Sequence, residues 1–428
     1  MPTDFRVADD LPAAEPQSTG AARRGEAGAP AQAAPGREEG RRGREPLDPR
    51  AVRCAWLGVA TLVLLLAALV LPSGWFSVNM RSTTLAQWMV MVQQRVAGLV
   101  SMLTLQGATY SMDAVTWRYL VVALAGAALA VSGAVFQGST RNGLASPSTL
   151  GVITGCNLGR IVFVVFFANT SGLVLSGITT SQASEALSGM GLTSYVTSVY
   201  GMALCSLAGG MLVVAAVLGI ATAAGRGRPS GVTMVIAGQV IAGAISAVLG
   251  LVQYYFTLTG DGRAEEMRVL SVETFTYSFR GIDVLLVALP IAACLALLMT
   301  RRGALDALAF GDEQASSMGV SARAARRLTV GACTVMTGVV VAFCGQIGMI
   351  GFMIPHLARR VVGPSQRYLM PASALMGAGF LTLAYFVTSL FESGTTDGLG
   401  MYVSALGGVA FLVMVIVQRR RGHGSDWI

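Results

Sequence analysis

Few residues in this sequence could do chemistry, and their spacing argues against most kinds. His356 follows Pro355 with no second His, Cys or carboxylate three or four residues on, which suits a structural or signal-transmitting role better than metal ligation. The six cysteines (Cys54, Cys156, Cys205, Cys294, Cys333 and Cys344) fall inside apolar runs without CxxC spacing. They read as small buried hydrophobes, with neither metal nor disulfide. All 30 basic residues are arginine. A chain without lysine holds neither a nucleotide-binding P-loop nor a Schiff-base amine. No cofactor is therefore expected on it, and any ATP that drives it is hydrolysed by another chain. Arg160 is the one charge in the middle of an apolar run. At membrane depth it is a functional candidate, with snorkelling or pairing inside the bundle as the alternative.

The elements that position these residues are set by composition. Of 428 residues 54% are hydrophobic and 12% charged, and the mean hydropathy is +0.63. Soluble domains carry about 25% charge, so a soluble enzyme is excluded. Apolar runs of roughly the length that crosses a bilayer, about 20 residues, recur at 54–71, 119–138, 150–168, 195–221, 232–256, 284–300, 328–344, 347–362, 370–391 and 401–418. The expectation is an all-α polytopic membrane protein with about ten transmembrane helices. Residues 1–50 hold seven of the fourteen prolines, eight Arg and nine Asp or Glu, a composition that reads as a disordered cytoplasmic tail before a transmembrane domain over 51–428. With both termini inside, fourteen arginines fall in inner connections and the C-terminal tail against six in outer ones, as the positive-inside rule requires. The stretch 85–107 contains Gln93, Gln94 and Arg95 and reads as an outer interfacial helix. Residues 72–117 and 258–282 are then outside. Gly126 and Gly133, and Gly331, Gly338 and Gly345, recur every seven residues as small-residue packing faces. The eighth run is broken by Gly348, Gly351 and Pro355, which fits either a substrate pathway or a kinked structural helix.

Two polar segments stand out between the runs. The first, QGSTRNGLASPSTLG over Gln137–Gly151, is a turn-rich inner connection, preceded by Arg118, Gly126, Leu129, Ser132 and Gly133. The second is LAFGDEQASSMGV, Leu308–Val320, a short helix too hydrophilic to insert and punctuated by Gly311 and Gly319; GQIGMIGFMIPHLARRVVG follows over Gly345–Gly363. Together, from about Arg118 to Gln418, they resemble the permease subunits of the bacterial ATP-driven importers for iron-siderophore complexes, haem and cobalamin, the FecCD-type, type II importers. Gly143 stands where that family usually has proline, and Tyr385, Ser389 and Asp397-Gly-Leu-Gly replace its usual Asp, Arg and E-L-P-V-G turn.

The resemblance implies a type II importer permease fold in the bacterial cytoplasmic membrane. Leu308, Gly311, Glu313, Ala315 and Gly319, within a coupling segment at about 305–325, would couple to an ATPase dimer. Asn142, Leu144, Ser230 and Thr233 would gate the inner mouth of a pathway shared with a second permease subunit, identical or not. Arg118 would dock an extracytoplasmic substrate-binding protein, although its family companion position is Val115. Gln137, Arg160, Pro355, His356 and Arg359 would lie on the pathway or transmit motion. Lipid is the other expected partner; nucleic acid is not. An ion-coupled secondary transporter is the competing reading, but all thirteen acidic residues beyond the tail lie in connections, segment ends or the C-terminus rather than in a buried relay. A membrane-embedded enzyme lacks any His, carboxylate or Ser constellation in the spans. The cargo is expected to be an iron-siderophore complex, with haem or cobalamin as alternatives.

Overall fold

In lipid a backbone polar group has no partner but the chain itself, so long apolar runs fold as helices. The computed structural model describes residues 48–70, 89, 90, 92, 93, 96, 114–171, 192–225, 230–272, 281–391 and 399–420. Among the described residues the named elements are helices: α1 (Pro49–Val70), α2 (Ala114–Thr140), α3 (Val152–Ser171), α4 (Leu192–Ala224), α5 (Gly231–Thr259), α6 (Arg263–Val272), α7 (Gly281–Thr300), α8 (Arg302–Phe310), α9 (Asp312–Ser317), α10 (Ala322–Cys344), α11 (Ile350–Val362), α12 (Gln366–Phe391) and α13 (Leu399–Arg420). They belong to one body, Leu47–Ile428. The tail expected over 1–50 lies outside the described residues except for its last three, and α1 already begins at Pro49. The interfacial helix expected over 85–107 also lies outside them, apart from the helical positions 89, 90, 92, 93 and 96.

Each of the ten apolar runs falls on a helix, and seven of these helices are long and apolar enough to cross a bilayer. The other three runs sit on shorter apolar stretches, Val152–Phe166 in α3, Leu399–Val413 in α13 and the 13-residue α11. Thirteen residues of helix reach about 20 Å, short of the hydrocarbon core of about 30 Å. The eighth run is thus a half-helix preceded by the irregular segment 345–349.

Helices α2 and α10 form the axis of the bundle, whereas α1 and α5 turn Trp56, Val59, Leu62, Val240, Leu251 and Leu258 outward, as lipid-facing helices do. The glycine spacing proves selective. Gly126 lies against Gly377 of α12 and Gly133 against Gly351 of α11, close enough that a Cβ at either would overlap backbone. The second set does not share a packing face: Gly331 has nothing near it, Gly338 meets Leu207, and Gly345 ends α10. The start of α1 is fastened to the turn between α11 and α12. Arg53 donates to the Val361 carbonyl at 2.8 Å, and Asp48 accepts from the Arg50 N–H at 2.9 Å and the Tyr368 hydroxyl at 2.7 Å. Those two hydrogen bonds hold the Asp48 carboxyl below its ordinary range.

Of the stretch 258–282, expected outside, residues 273–280 lie outside the described residues, and α6 packs back on the bundle. Helix α6 turns back along α3, with Arg263 donating to the Val165 carbonyl at 3.4 Å and the Leu270 carbonyl accepting from Arg160, near the middle of α3, at 3.4 Å. Met267 and Leu270 seat it on Ile161, Val164 and Met202. Half of the ten residues of α6 are polar, so it carries no hydropathy signal for insertion, and its apolar Met267 and Leu270 pack on protein instead.

Candidate coupling segment and gate

One end of the bundle gathers the C-terminus of α2, the N-termini of α5, α10 and α12, and the short helices α8 and α9. Helix α8 is amphipathic: Leu305, Ala307 and Leu308 point into the core, and Phe310 at its end is 65% exposed. Gly311 separates α8 from α9 with φ 116°, a conformation costly for any side chain, and Gly319 closes the segment with φ 77°. Glu313, Met318 and Gly319 are exposed. Leu308, Gly311 and Ala315, expected to touch a partner, are instead buried within this chain. The alternation of the amphipathic turn decides this: the small and apolar positions anchor the segment, and Phe310, Glu313, Met318 and Gly319 form its outer surface.

The connection after α2, expected as a turn-rich inner loop, runs back along the bundle. Arg141, with φ 51°, leaves the helix, and Asn142 donates to the Gly231 carbonyl at 3.3 Å while its side-chain oxygen accepts from the Leu144 N–H at 2.9 Å. Gly231 lies against Thr140 so closely that a Cβ would overlap its carbonyl. The chain then climbs along α5: Gln239 donates to the Thr149 carbonyl at 3.4 Å, and a Cβ on Gly151 would stand 3.0 Å from the Gly238 carbonyl oxygen. Seven residues of α5 separate these levels, a rise of about 10 Å. Non-helical backbone at such depth must find its hydrogen bonds in protein. Ser146 N–H donates to Thr149 Oγ1 at 2.8 Å, Thr149 N–H to Ser146 Oγ at 3.1 Å, and Val152 N–H to the Pro147 carbonyl at 2.9 Å. The Ser and Thr of this motif are thus structural partners of the loop. Leu144 alone among its apolar residues is exposed, at 46%, beside exposed Ser230 and half-buried Thr233. A cleft of about 1710 Å3 separates this loop from the coupling segment, lined by Arg141, Ser230, Phe310, Asp312, Arg323 and Arg327 among others.

Behind the loop, Pro147 packs on Gly351 of the broken segment, whose Met349 has φ 65°. Gln137 donates to the Phe352 carbonyl at 3.2 Å and lies 3.4 Å from His356 Nδ1, which is itself 2.9 Å from the same carbonyl. His356 therefore spends its Nδ1 inside α11, next to buried Pro355 and half-buried Arg359. Among the described residues no group of three or more His, Cys, Asp or Glu could hold a metal ion. A polar pocket of about 270 Å3 opens where the interruptions meet, lined by Ser148, Thr154, Ser271, Gln346, Gly348 and Ser404 among others. Arg160 is 1% exposed and holds α6 through the Leu270 carbonyl, which settles it inside the bundle.

Arg118 departs from expectation. It is 8% exposed, donates to the Tyr385 hydroxyl at 3.5 Å, and offers no outward charge for docking. Tyr119 packs edge-on against Tyr385 at 4.9 Å and its hydroxyl lies 3.5 Å from Ser389 Oγ. The substitutions at 385 and 389 thus supply hydroxyls to a buried cluster. Sequence reading passed over the carboxylates of Asp306 and Asp312, which lie inside the expected coupling segment and bind partners outside it. Their hydrophilic context looked like ordinary solvated helix.

A half-helix, a membrane-buried loop and a short amphipathic segment set among long apolar spans define a polytopic transport protein of the type II importer permease fold. The same fold occurs in a metal-chelate type ABC transporter solved in an inward-facing conformation, with TM-score 0.62 over 85% of this chain and 99% of the other at 22% identity. The sequence profile of the FecCD transport family matches residues 60–417, and the chain belongs to that family. Similar relatives include the iron(3+)-hydroxamate import system permease protein FhuB of Bacillus subtilis, 29% identical over 71% of this chain and 70% of that protein. The cobalamin import system permease protein BtuC of Halobacterium salinarum is 30% identical over 70% and 71%. The hemin transport system permease protein HmuU of Yersinia pestis is 28% identical over 72% and 83%.

Proposed function

We propose that this chain is the translocating permease subunit of an ATP-driven importer, carrying an iron-siderophore complex across the cytoplasmic membrane. The observation that carries the reading is the adjacency of an exposed amphipathic segment to a loop that presents one exposed leucine. The segment, with Phe310, Glu313, Met318 and Gly319 outermost, is the surface for a separate ATPase dimer, since a chain without lysine has no P-loop of its own. That end then faces the cytoplasm, with both termini, and the opposite end meets a substrate-binding protein. Leu144, Asn142, Ser230 and Thr233 close the inner mouth against a second permease subunit, where an apolar plug excludes water. Haem or cobalamin is the alternative cargo, since relatives named for them match as closely as the ferric hydroxamate one.

The test is a leak measurement in vesicles holding the assembled complex, using ferric hydroxamate, hemin and cobalamin in turn. Leu144→Ala should raise passive cargo leak severalfold with assembly intact, while Leu62→Ala, 56% exposed on α1, should not. Equal leak in both variants, or none in either, refutes the gate. ATP hydrolysis by the purified chain alone refutes the division of labour.

A further inference from the structure

The coupling segment is tied to the bundle by two carboxylates that a docking surface does not need. Asp306 of α8 accepts the backbone N–H of Gln366 at 2.8 Å and the Ser365 hydroxyl at 3.4 Å, capping α12 from 60 residues away in sequence. A carboxylate at a helix N-terminus satisfies an orphan N–H and meets the positive end of the dipole. Gln366 is buried, and its side-chain nitrogen lies 2.7 Å from where a Cβ on Gly138 of α2 would stand. Asp312, the first residue of α9, accepts from both terminal nitrogens of Arg326 at 2.7 and 3.2 Å. Arg326 in turn donates Nε–H to the Ser139 carbonyl at 3.3 Å. This second tie is a two-point, charge-assisted pair with one partner nearly buried, which fixes orientation as well as distance.

The second tie ends on Ser139 in the last turn of α2, the first reaches that turn through the packing of Gln366 on Gly138, and they start on opposite sides of Gly311. That last turn runs straight into Arg141, whose guanidinium lies against Gly311, 3.1 Å from where a Cβ there would stand. With only one tie, either α8 or α9 could swing about Gly311 without carrying α2. With two, displacement of either arm is felt at Gly138 and Ser139.

We infer that Asp306 and Asp312 are positioning residues that convert movement of the coupling segment into movement of the end of α2, and hence of the loop bearing Leu144. The inference rests on the importer reading above. It is tested in the full complex, with its ATPase, companion permease subunit and binding protein, reconstituted in vesicles. Ferric hydroxamate, hemin and cobalamin serve as probes, and the cargo accumulated per ATP hydrolysed is the readout. Asp306→Ala should lower that ratio about tenfold, a coupling effect of ordinary size, while ATP hydrolysis without cargo persists. Asp306→Asn, which keeps an oxygen for the Gln366 N–H, should recover most of it. Should Asp306→Ala fail to assemble, Asp312→Ala is read in the same way against Asp312→Glu, which keeps both carboxylate oxygens for Arg326. An unchanged ratio in the alanine variants overturns the inference, as does a proportional fall of transport, hydrolysis and thermal stability together, because the carboxylates then merely hold the fold. If the wild-type complex accumulates none of the three probes with ATP, the importer reading itself fails and the inference falls with it.

Discussion

The two ends of the bundle use their carboxylates differently. At the arginine-rich end the polar bonds join elements far apart in the chain: Asp306 to Gln366, Arg326 to Ser139, Asn142 to Gly231, Arg53 to Val361. At the other end remote elements are joined as well, Arg118 to Tyr385 and Arg263 to Val165, but the carboxylate of Asp261 turns to Arg263, two residues on, and the two close a pair at 2.7 Å within one turn. Bonds between remote elements pass displacement from one element to another, whereas a local pair stiffens only its own turn. The carboxylates of the first end thus link separate elements, whereas that of the second closes its own turn.

The largest effect should come from comparing one glycine at each end. Gly311 combines φ 116° with the Arg141 guanidinium beside it, while Gly260, at the C-terminus of α5, has φ 67° and open space around it. Gly311→Val would strain the backbone with a branched side chain and push Arg141 away, so transport should fall to background with the spans still assembled. Gly260→Ala faces only the left-handed penalty of about 1–2 kcal/mol, and transport should stay near wild type. Uptake assays on the two variants, beside their thermal midpoints, check the contrast. Comparable losses would mean that the ends are not mechanically distinct.

Legibility in the sequence followed the same divide. Hydropathy located all ten runs, because insertion into lipid depends on local composition alone. The motif residues from Gln137 to Gly151 and from Leu308 to Val320 marked the coupling end, since turn residues and glycines punctuate polar segments wherever they occur. Depth was not legible. The loop 141–151 and α6 are polar, and only the surrounding protein lets them lie inside the bundle. Nor could spacing tell Gly133, pressed against Gly351, from Gly331, which touches nothing, because a heptad fixes a face without naming the neighbour. Arg118 shows the same limit: its residue type matched a docking role, but Tyr385, 267 positions away, decides its burial.

A smaller effect is expected at Arg118. Replacing the buried guanidinium removes its donation to the Tyr385 hydroxyl, at a cost of about 1–3 kcal/mol. Arg118→Gln should therefore lower the thermal midpoint of the complex by a few degrees without changing the affinity for the binding protein, measured by titration. A large loss of affinity at unchanged midpoint would return Arg118 to the docking surface and remove part of the distinction between the ends.

The smallest effect should be that of Asp261→Asn. Asp261 accepts the Arg263 guanidinium at 2.7 and 3.0 Å and the Arg263 N–H at 3.0 Å, so its carboxyl sits below the ordinary range, first through the side-chain bond and then through the backbone one. A depressed carboxyl contributes stability at pH above its unfolded value and loses it as pH falls through the folded one. The contribution is small here because both side chains are partly exposed and water screens the pair. Asparagine keeps one oxygen for the Arg263 N–H, so the cap survives and only the charge is lost. Thermal midpoints of wild type and variant should therefore agree closely at neutral pH and converge fully in acid. Arg263 also reaches the Val165 carbonyl and lies over the Phe256 ring at 4.6 Å, so α6 keeps anchors that do not involve Asp261. A midpoint drop at neutral pH larger than that of Arg118→Gln would show that α6 hangs on this one pair.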